Sequence, residues 1–381
     1  MGTDRLVGPE EARLSARHDA TGRRRRGCLL PLLLAGLVAA GVVWGPALMV
    51  RGVATATVLE GLDLGVPRPL APEVARQSTT IGGVEVDRYE PVGASSGAAQ
   101  RPAIVLVPGA TPAGRDDRRV IAIATAVARA DRHVVVPELA VYGEDLLVGD
   151  LERLVAVTAG LAESNDGVVL AGLSFGGSLA LIAADDPTVR DEVRLVATFG
   201  AYADLAGVVQ AAITGVSLVD GERILWQADP RAQEVVRRQL LDLVDERART
   251  ALEAALDREL DVDALPEALR SLHDLLVEGE PDGVMAHLDA APEVVRDRID
   301  AVSPVRAAPD LEVPLVALHA IDDPVIPYAE LRRLQAAYPQ TQALTLRTFD
   351  HLGLGDGEHG WWVQARDLIE TARFVTVILE A

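Results

Sequence analysis

Beyond residue 100 the chain alternates short, unbroken apolar runs with longer stretches whose apolar positions recur every three or four residues. The runs at 103–107, 133–136, 168–171 and 193–198 are predicted to be strands. Helices are predicted between them over 117–130, 145–162 and 175–184. A strand that is apolar on both faces must be covered on both, which calls for a mostly parallel sheet with helices above and below it. Upstream, residues 79–89 suggest two shorter strands about Gly82-Gly83, with alternation in Val84-Glu85-Val86-Asp87.

The rhythm stops at Asp204. A segment of about 100 residues follows that reads as helical and rich in acids, with apolar spacing in Leu240, Leu241, Leu243, Leu252, Leu256 and Leu260, punctuated by Pro266 and Pro281. Strand–helix alternation returns with a strand at 314–318, a helix near 328–337, a strand at 343–348 and a final helix from about Gly360. An interrupted rhythm is what an insertion into an α/β core produces. The expected division is a core in two parts, 78–204 and 304–381, with a helical insertion at 205–303.

The first 50 residues follow a different pattern. Residues 28–50 contain no charge, and as a helix they would span roughly 34 Å, enough for a hydrocarbon core of about 30 Å. Arg23 to Arg26 precede the segment and only Arg51 closely follows it. The excess of arginine on one side places a basic arm, 1–27, in the cytoplasm. The expectation is a single-pass signal anchor in the cell membrane, a linker at 51–77 and a large extracytoplasmic domain. The rival expectation is a secreted protein cleaved near Ala54-Thr55-Ala56, although a 23-residue apolar stretch is long for a signal peptide.

Composition narrows the partners. The chain has 381 residues, and 49% apolar content is ample for a core, which Ala, Val and Leu must fill because aromatics are only 3%. The net charge is −21, and residues 1–26 carry seven arginines against four acids, so the body is more acidic still. Such a body repels the phosphates of nucleic acid, which is excluded as a partner. The one cysteine, Cys28, excludes an intrachain disulfide, a multi-cysteine metal site and a CxxC redox pair. There is no HExxH, no GxxxxGK[ST] loop and no dinucleotide fingerprint, so neither a metal nor another cofactor is implied.

The chemistry is concentrated in Gly172-Leu173-Ser174-Phe175-Gly176, a GxSxG pentapeptide between an apolar strand and an Ala/Leu-rich helix. That strand–turn–helix setting is a nucleophile elbow, which holds a serine in a tight turn and needs glycines where other segments cross closely. A serine hydroxyl is a poor nucleophile until a base takes its proton. Among seven histidines, His351 directly follows the last predicted strand and is the first candidate, with His359 the second. His18 lies before the apolar segment, His133 opens a strand, His273 and His287 lie in the insertion, and His319 ends a strand. The orienting acid should come from a neighbouring loop, where Asp322 and Asp323 stand side by side and Asp323 is favoured.

The order Ser174, Asp323, His351, together with the elbow and the Asp323-Pro324-Val325-Ile326-Pro327 loop, resembles the α/β-hydrolase superfamily over residues 78–381. The resemblance implies an α/β-hydrolase fold, with 205–303 as a cap inserted after the sixth core strand, over a Ser-His-Asp triad. The family's acid commonly stands four residues before a proline, as Asp323 stands before Pro327. Many members carry His-Gly after the first core strand, where this chain has Pro108-Gly109-Ala110-Thr111. Only backbone N–H groups are needed there, so the resemblance makes Ala110 and Phe175 the expected oxyanion donors, with Thr111 a third candidate. The implied activity is hydrolysis of a carboxylic ester or related acyl bond on a small-molecule, bulky or lipophilic substrate. An acyltransferase, a peptidase and an inactive binding module are the alternatives.

Overall fold

The computed structural model describes residue 55 and residues 72–93, 101–139, 148–351 and 360–381. The expected arm at 1–27, membrane segment at 28–50 and most of the linker lie outside these residues. Among the described residues no helix is long and apolar enough to cross a membrane.

The sheet begins with a hairpin, β1 (Val74–Ile81) and β2 (Val84–Pro91), paired antiparallel about Gly82-Gly83. The strand starts inside the stretch expected to be linker. As an edge strand it leaves residues 76–80 exposed, so no apolar alternation marks its first half. The core continues with β3 (Ala103–Val107), α1 (Arg118–Ala128), β4 (Val134–Pro137), α2 (Val148–Ala162), β5 (Val168–Leu173), α3 (Phe175–Ala184) and β6 (Val193–Phe199). The insertion comprises α4 (Leu205–Thr214), β7 (Val216–Val219), β8 (Glu222–Leu225), α5 (Pro230–Asp242), α6 (Glu246–Leu256), α7 (Glu267–Val277), α8 (Pro281–Asp289) and α9 (Glu293–Ala301). The short α10 (Pro304–Ala307), β9 (Leu315–Ala320), α11 (Ala329–Ala337), β10 (Thr341–Leu346) and α12 (Trp361–Glu380) complete the core.

Eight strands lie in the order β1-β2-β4-β3-β5-β6-β9-β10. The pairs β1–β2 and β2–β4 are antiparallel and all the others are parallel. Period-two alternation divides the core between the two faces. Ala103, Val105 and Val107 pack with α2, α3 and α11, while Ile104 and Leu106 pack with α1 and α12. Nine of the ten α3 residues are buried, which explains its Gly/Ala/Leu composition on every face.

Two further expectations are corrected. The last strand is Thr341–Leu346 instead of 343–348, because the backbone N–H groups of Arg347 and Thr348 donate to Asp367 Oδ2 on α12 at 2.6 and 2.7 Å. The insertion is not wholly helical: β7 and β8 pair as an antiparallel hairpin. Otherwise it builds its own core, in which Leu240, Leu241 and Leu252 are buried and Leu243, Leu256 and Leu260 pack against them.

The two ends of the insertion are fastened to each other and to helix α11. Asp204 caps α4 by accepting from Ala206 N–H, and Ser303 Oγ accepts from Leu205 N–H at 2.9 Å. On the core side, buried Glu330 accepts from the N–H groups of Ala203 and Asp204, each at 3.0 Å, and pairs with Arg333.

Candidate active site

In a parallel sheet the carboxyl ends of the strands share one edge, where functional loops collect. Ser174 follows β5, Gly109 and Ala110 follow β3, Asp323 follows β9 and His351 follows β10. Their convergence is a product of strand order. Strand β9 lies two places from β5, a gap of roughly 10 Å that one imidazole and two short side chains can bridge.

Ser174 has φ 52° and ψ −129°, a conformation an L-residue adopts only under constraint from its surroundings. Its N–H donates to Phe199 carbonyl at 2.7 Å, tying the turn to β6. The neighbouring glycines are required by close approach. A Cβ on Gly176 would collide with the Pro108 carbonyl oxygen, and one on Gly172 with the Gly177 backbone.

His351 Nδ1 lies 2.7 Å from Asp323 Oδ2, and its Nε2 lies 2.8 Å from Ser174 Oγ. A carboxylate only accepts, so Nδ1 carries the proton and the bare Nε2 accepts from the serine hydroxyl. Asp323 is almost wholly buried, and its other oxygen, Oδ1, accepts from the N–H groups of Val325 and Ile326 at 2.8 and 2.9 Å. Asp322 is exposed. The carboxylate is thus locked by its own loop, with one oxygen left for the imidazole.

The imidazole crosses over the end of β6, where Gly200 makes room for it. Gly200 has φ +67°, and a Cβ there would lie 3.1 Å from His351 Cε1 and 3.3 Å from Nδ1. Gly200→Ala therefore combines backbone strain with a push against the His351 imidazole. It is expected to lower kcat on a simple ester about 10-fold, since the imidazole must give by only a few tenths of an ångström, with KM little changed. Steady-state kinetics on the purified variant check this; wild-type kcat would contradict it.

The remaining histidines lie elsewhere. His319 is buried under the acid, with Nε2 3.0 Å from the Ile326 carbonyl and 3.6 Å from Asp323 Oδ2. Burial pushes it below the usual histidine range, so it stays neutral and donates to that carbonyl. His273 and His287 contact Asp274 and Glu278 within the insertion, and His133 precedes β4 at the opposite sheet edge. His18 and His359 lie outside the described residues.

Ala110, Thr111 and Phe175 stand beside the serine at the wall of one cavity. The N–H groups of Ala110 and Phe175 have no acceptor among the described residues, and Phe175 opens α3, whose first-turn N–H groups have no partner within the helix. The loop bearing Ala110 is held from an unexpected quarter. Thr111 Oγ1 donates to Asp117 Oδ2 at 2.9 Å, and Asp117 also caps α1. Arg119, aided by its own backbone N–H and by Thr111, holds the Asp117 carboxyl down at about 2.

The cavity measures about 570 Å³. Ser174 and His351 lie on one side, and helices of the insertion form the other, through Val208 and Val209 of α4, Val235 and Leu240 of α5, and Ile299 of α9. Its lining is mainly apolar. Among the described residues no cluster of three or more His, Cys, Asp or Glu could hold a metal ion.

A family model described as "Alpha/beta hydrolase family" matches residues 104–371. No curated protein sequence matches the chain. Several solved structures do. A membrane phospholipase A, described as a novel bacterial virulence factor, is 18% identical at a TM-score of 0.43, covering 85% of this chain and 91% of its own. Brefeldin A esterase, a bacterial homologue of human hormone sensitive lipase, is 18% identical at a TM-score of 0.46, with coverages of 87% and 84%. The meta-cleavage product hydrolase from Pseudomonas fluorescens IP01 is 17% identical at a TM-score of 0.41, with coverages of 80% and 96%.

Proposed function

The chain belongs to the alpha/beta hydrolase family and is a hydrolase enzyme, and from that premise we propose that it is a serine hydrolase cleaving a carboxylic ester with a lipophilic acyl part. The observation that carries this reading is the hydrogen-bonded sequence Asp323–His351–Ser174 at the wall of an apolar cavity. His351 Nε2 takes the Ser174 proton as Oγ attacks the acyl carbon. Asp323 stabilises the imidazolium through Nδ1–H. The N–H groups of Ala110 and Phe175 hold the developing oxyanion, which two fixed dipoles in a water-poor site stabilise more than solvent does. The imidazolium then gives its proton to the leaving alkoxide. Water, activated by the same imidazole, releases the acid from Ser174.

Residues 205–303 act in this reading as a cap whose apolar wall receives the acyl chain. Each methylene moved from water into such a wall is worth about 0.8 kcal/mol, or about fourfold in kcat/KM when the gain is fully expressed. Across p-nitrophenyl esters of increasing acyl length, kcat/KM is expected to climb steeply from acetyl until the cavity is full. Val235→Trp shortens the cavity from the α5 side and is expected to cut kcat/KM on an octanoyl ester about 10-fold relative to acetyl. An enzyme fastest on acetyl esters, and indifferent to Val235→Trp, would sink the lipophilic assignment.

The proposed location is the cell membrane, with 28–50 as a single-pass anchor and the catalytic part on the extracytoplasmic side. Its support is the uncharged 23-residue run behind Arg23 to Arg26. Trp361 and Trp362, stacked at 3.6 Å and 63% and 71% exposed at the start of α12, add a feature suited to a lipid–water interface.

A further inference from the structure

The hairpin of the insertion reaches the acid of the proposed site. Helix α4 ends at Gly215, which has φ +71°, and β7 and β8 turn through Asp220-Gly221, both at positive φ. Trp226 follows β8, and its backbone N–H closes onto the Gly215 carbonyl at 2.8 Å. Its indole Nε1–H donates to the backbone carbonyl of Asp323 at 2.7 Å. Three residues on, Asp229 N–H donates to the Pro324 carbonyl at 2.8 Å, and α5 begins. Two consecutive carbonyls of the acid loop are therefore gripped by the insertion, while the carboxylate of Asp323 is gripped by the loop's own N–H groups.

The gripping segment is flanked on both sides by cavity wall. Leu205, Val208 and Val209 of α4 precede it, and Val235, Val236 and Leu240 of α5 follow it. A ligand that fills the apolar space packs against both helices and so restricts the hairpin they carry. Asp323 shares one Cα between the carbonyl that Trp226 holds and the carboxylate that His351 needs. A shift of the hairpin would pull on that Cα and work against the loop bonds that fix the carboxylate toward Nδ1.

We infer that Trp226 is a positioning residue through which occupancy of the acyl cavity sets the alignment of Asp323 with His351. The inference rests on the reading of Ser174, His351 and Asp323 as the triad. Coupling of this kind is reciprocal: the bond that aligns the acid when the cavity is filled also favours filling of the cavity. Acyl-chain preference then resides partly in kcat, beyond what binding alone places in kcat/KM.

Trp226→Phe keeps an aromatic ring while removing the N–H donor, at the cost of a smaller ring system. On an octanoyl ester its kcat is expected to fall about 10-fold, less than the loss for a full ångström of misalignment. On an acetyl ester, which leaves the cavity mostly empty, kcat is expected to stay within about twofold with KM unchanged, whereas KM for the octanoyl ester rises with the lost coupling. Val219→Ala, which trims the buried side of β7, serves as a control for simple destabilisation of the hairpin. Equal losses on both esters, or the same split from Val219→Ala, would overturn the coupling.

A second readout needs no substitution. The low-field proton resonance of His351 Nδ1–H in the wild-type enzyme is expected to exchange more slowly with solvent when 1-octanol fills the cavity. No change on saturation with 1-octanol would also overturn the inference. A wild-type enzyme that a fluorophosphonate fails to acylate at Ser174 would instead remove the triad beneath it. Normal acylation with wild-type kcat for Trp226→Phe at every chain length would remove the coupling alone.

Discussion

Ser174→Ala is expected to lower kcat/KM on a p-nitrophenyl ester about 10⁴- to 10⁶-fold while the protein stays folded. In the proposed reaction the hydroxyl oxygen forms the acyl bond, and nothing else in the described site is placed to replace it. Its hydrogen bond goes to His351 Nε2 at 2.8 Å, so structurally its loss forfeits about 1 kcal/mol. Alanine meets the same backbone demand at φ 52° as serine does, and the turn remains held by the Ser174 N–H bond to Phe199. The residual rate would come from substrate binding and the Ala110 and Phe175 N–H groups. Kinetics beside a thermal melt check the pair of claims. A loss under tenfold with an intact melt would show that the chemistry lies elsewhere.

Asp323→Asn is expected to cost about 10⁴-fold in kcat, nearly as much, for a different reason. Oδ1 of Asp323 accepts from two backbone N–H groups, so an asparagine must turn its carbonyl oxygen toward Val325 and Ile326. Its NH2 group then faces His351 Nδ1, where Asp323 Oδ2 accepts at 2.7 Å. A donor facing Nδ1 forces the imidazole proton onto Nε2, and Nε2 can no longer accept from Ser174. The base is present and wrongly protonated. Asp322→Asn, at the exposed neighbour, is expected to leave kcat within about twofold, because surface changes away from the site rarely propagate. Kinetics on the two variants side by side decide between the carboxylates; a larger loss at Asp322 would reverse the assignment.

The centre of the fold was legible because physics writes it locally. A strand buried on both faces, such as Val168–Leu173, is an apolar run with no polar interruption, and the glycines around Ser174 mark segments that cross without room for side chains. The exposed edges were harder. Strand β1 begins Val-Ala-Arg-Gln-Ser, with no face to bury, and β10 begins with Thr341 and Gln342, whose pairing depends on β9. The β7–β8 hairpin did carry a local sign, the Asp220-Gly221 turn pair, but Glu222 and Arg223 interrupt the apolar pattern after it and the surrounding helical spacing overrode it.

Contacts between distant segments leave no local sign. Nothing near Gly200 announces that a histidine 151 positions later will lie across it, and nothing near Trp226 announces the carbonyl of Asp323. The order of Ser174, Asp323 and His351 was visible, since each follows an apolar strand. Their meeting at one edge depends on strand order β5-β6-β9-β10, which is a tertiary property.

Covalent capture tests the convergence of these residues most directly. After brief exposure of the folded enzyme to a fluorophosphonate, the intact mass should rise by one adduct, mapped to the peptide containing Ser174. The adduct should form at a negligible rate in Asp323→Asn. An unmodified folded protein, or an adduct at any other residue, would contradict the account.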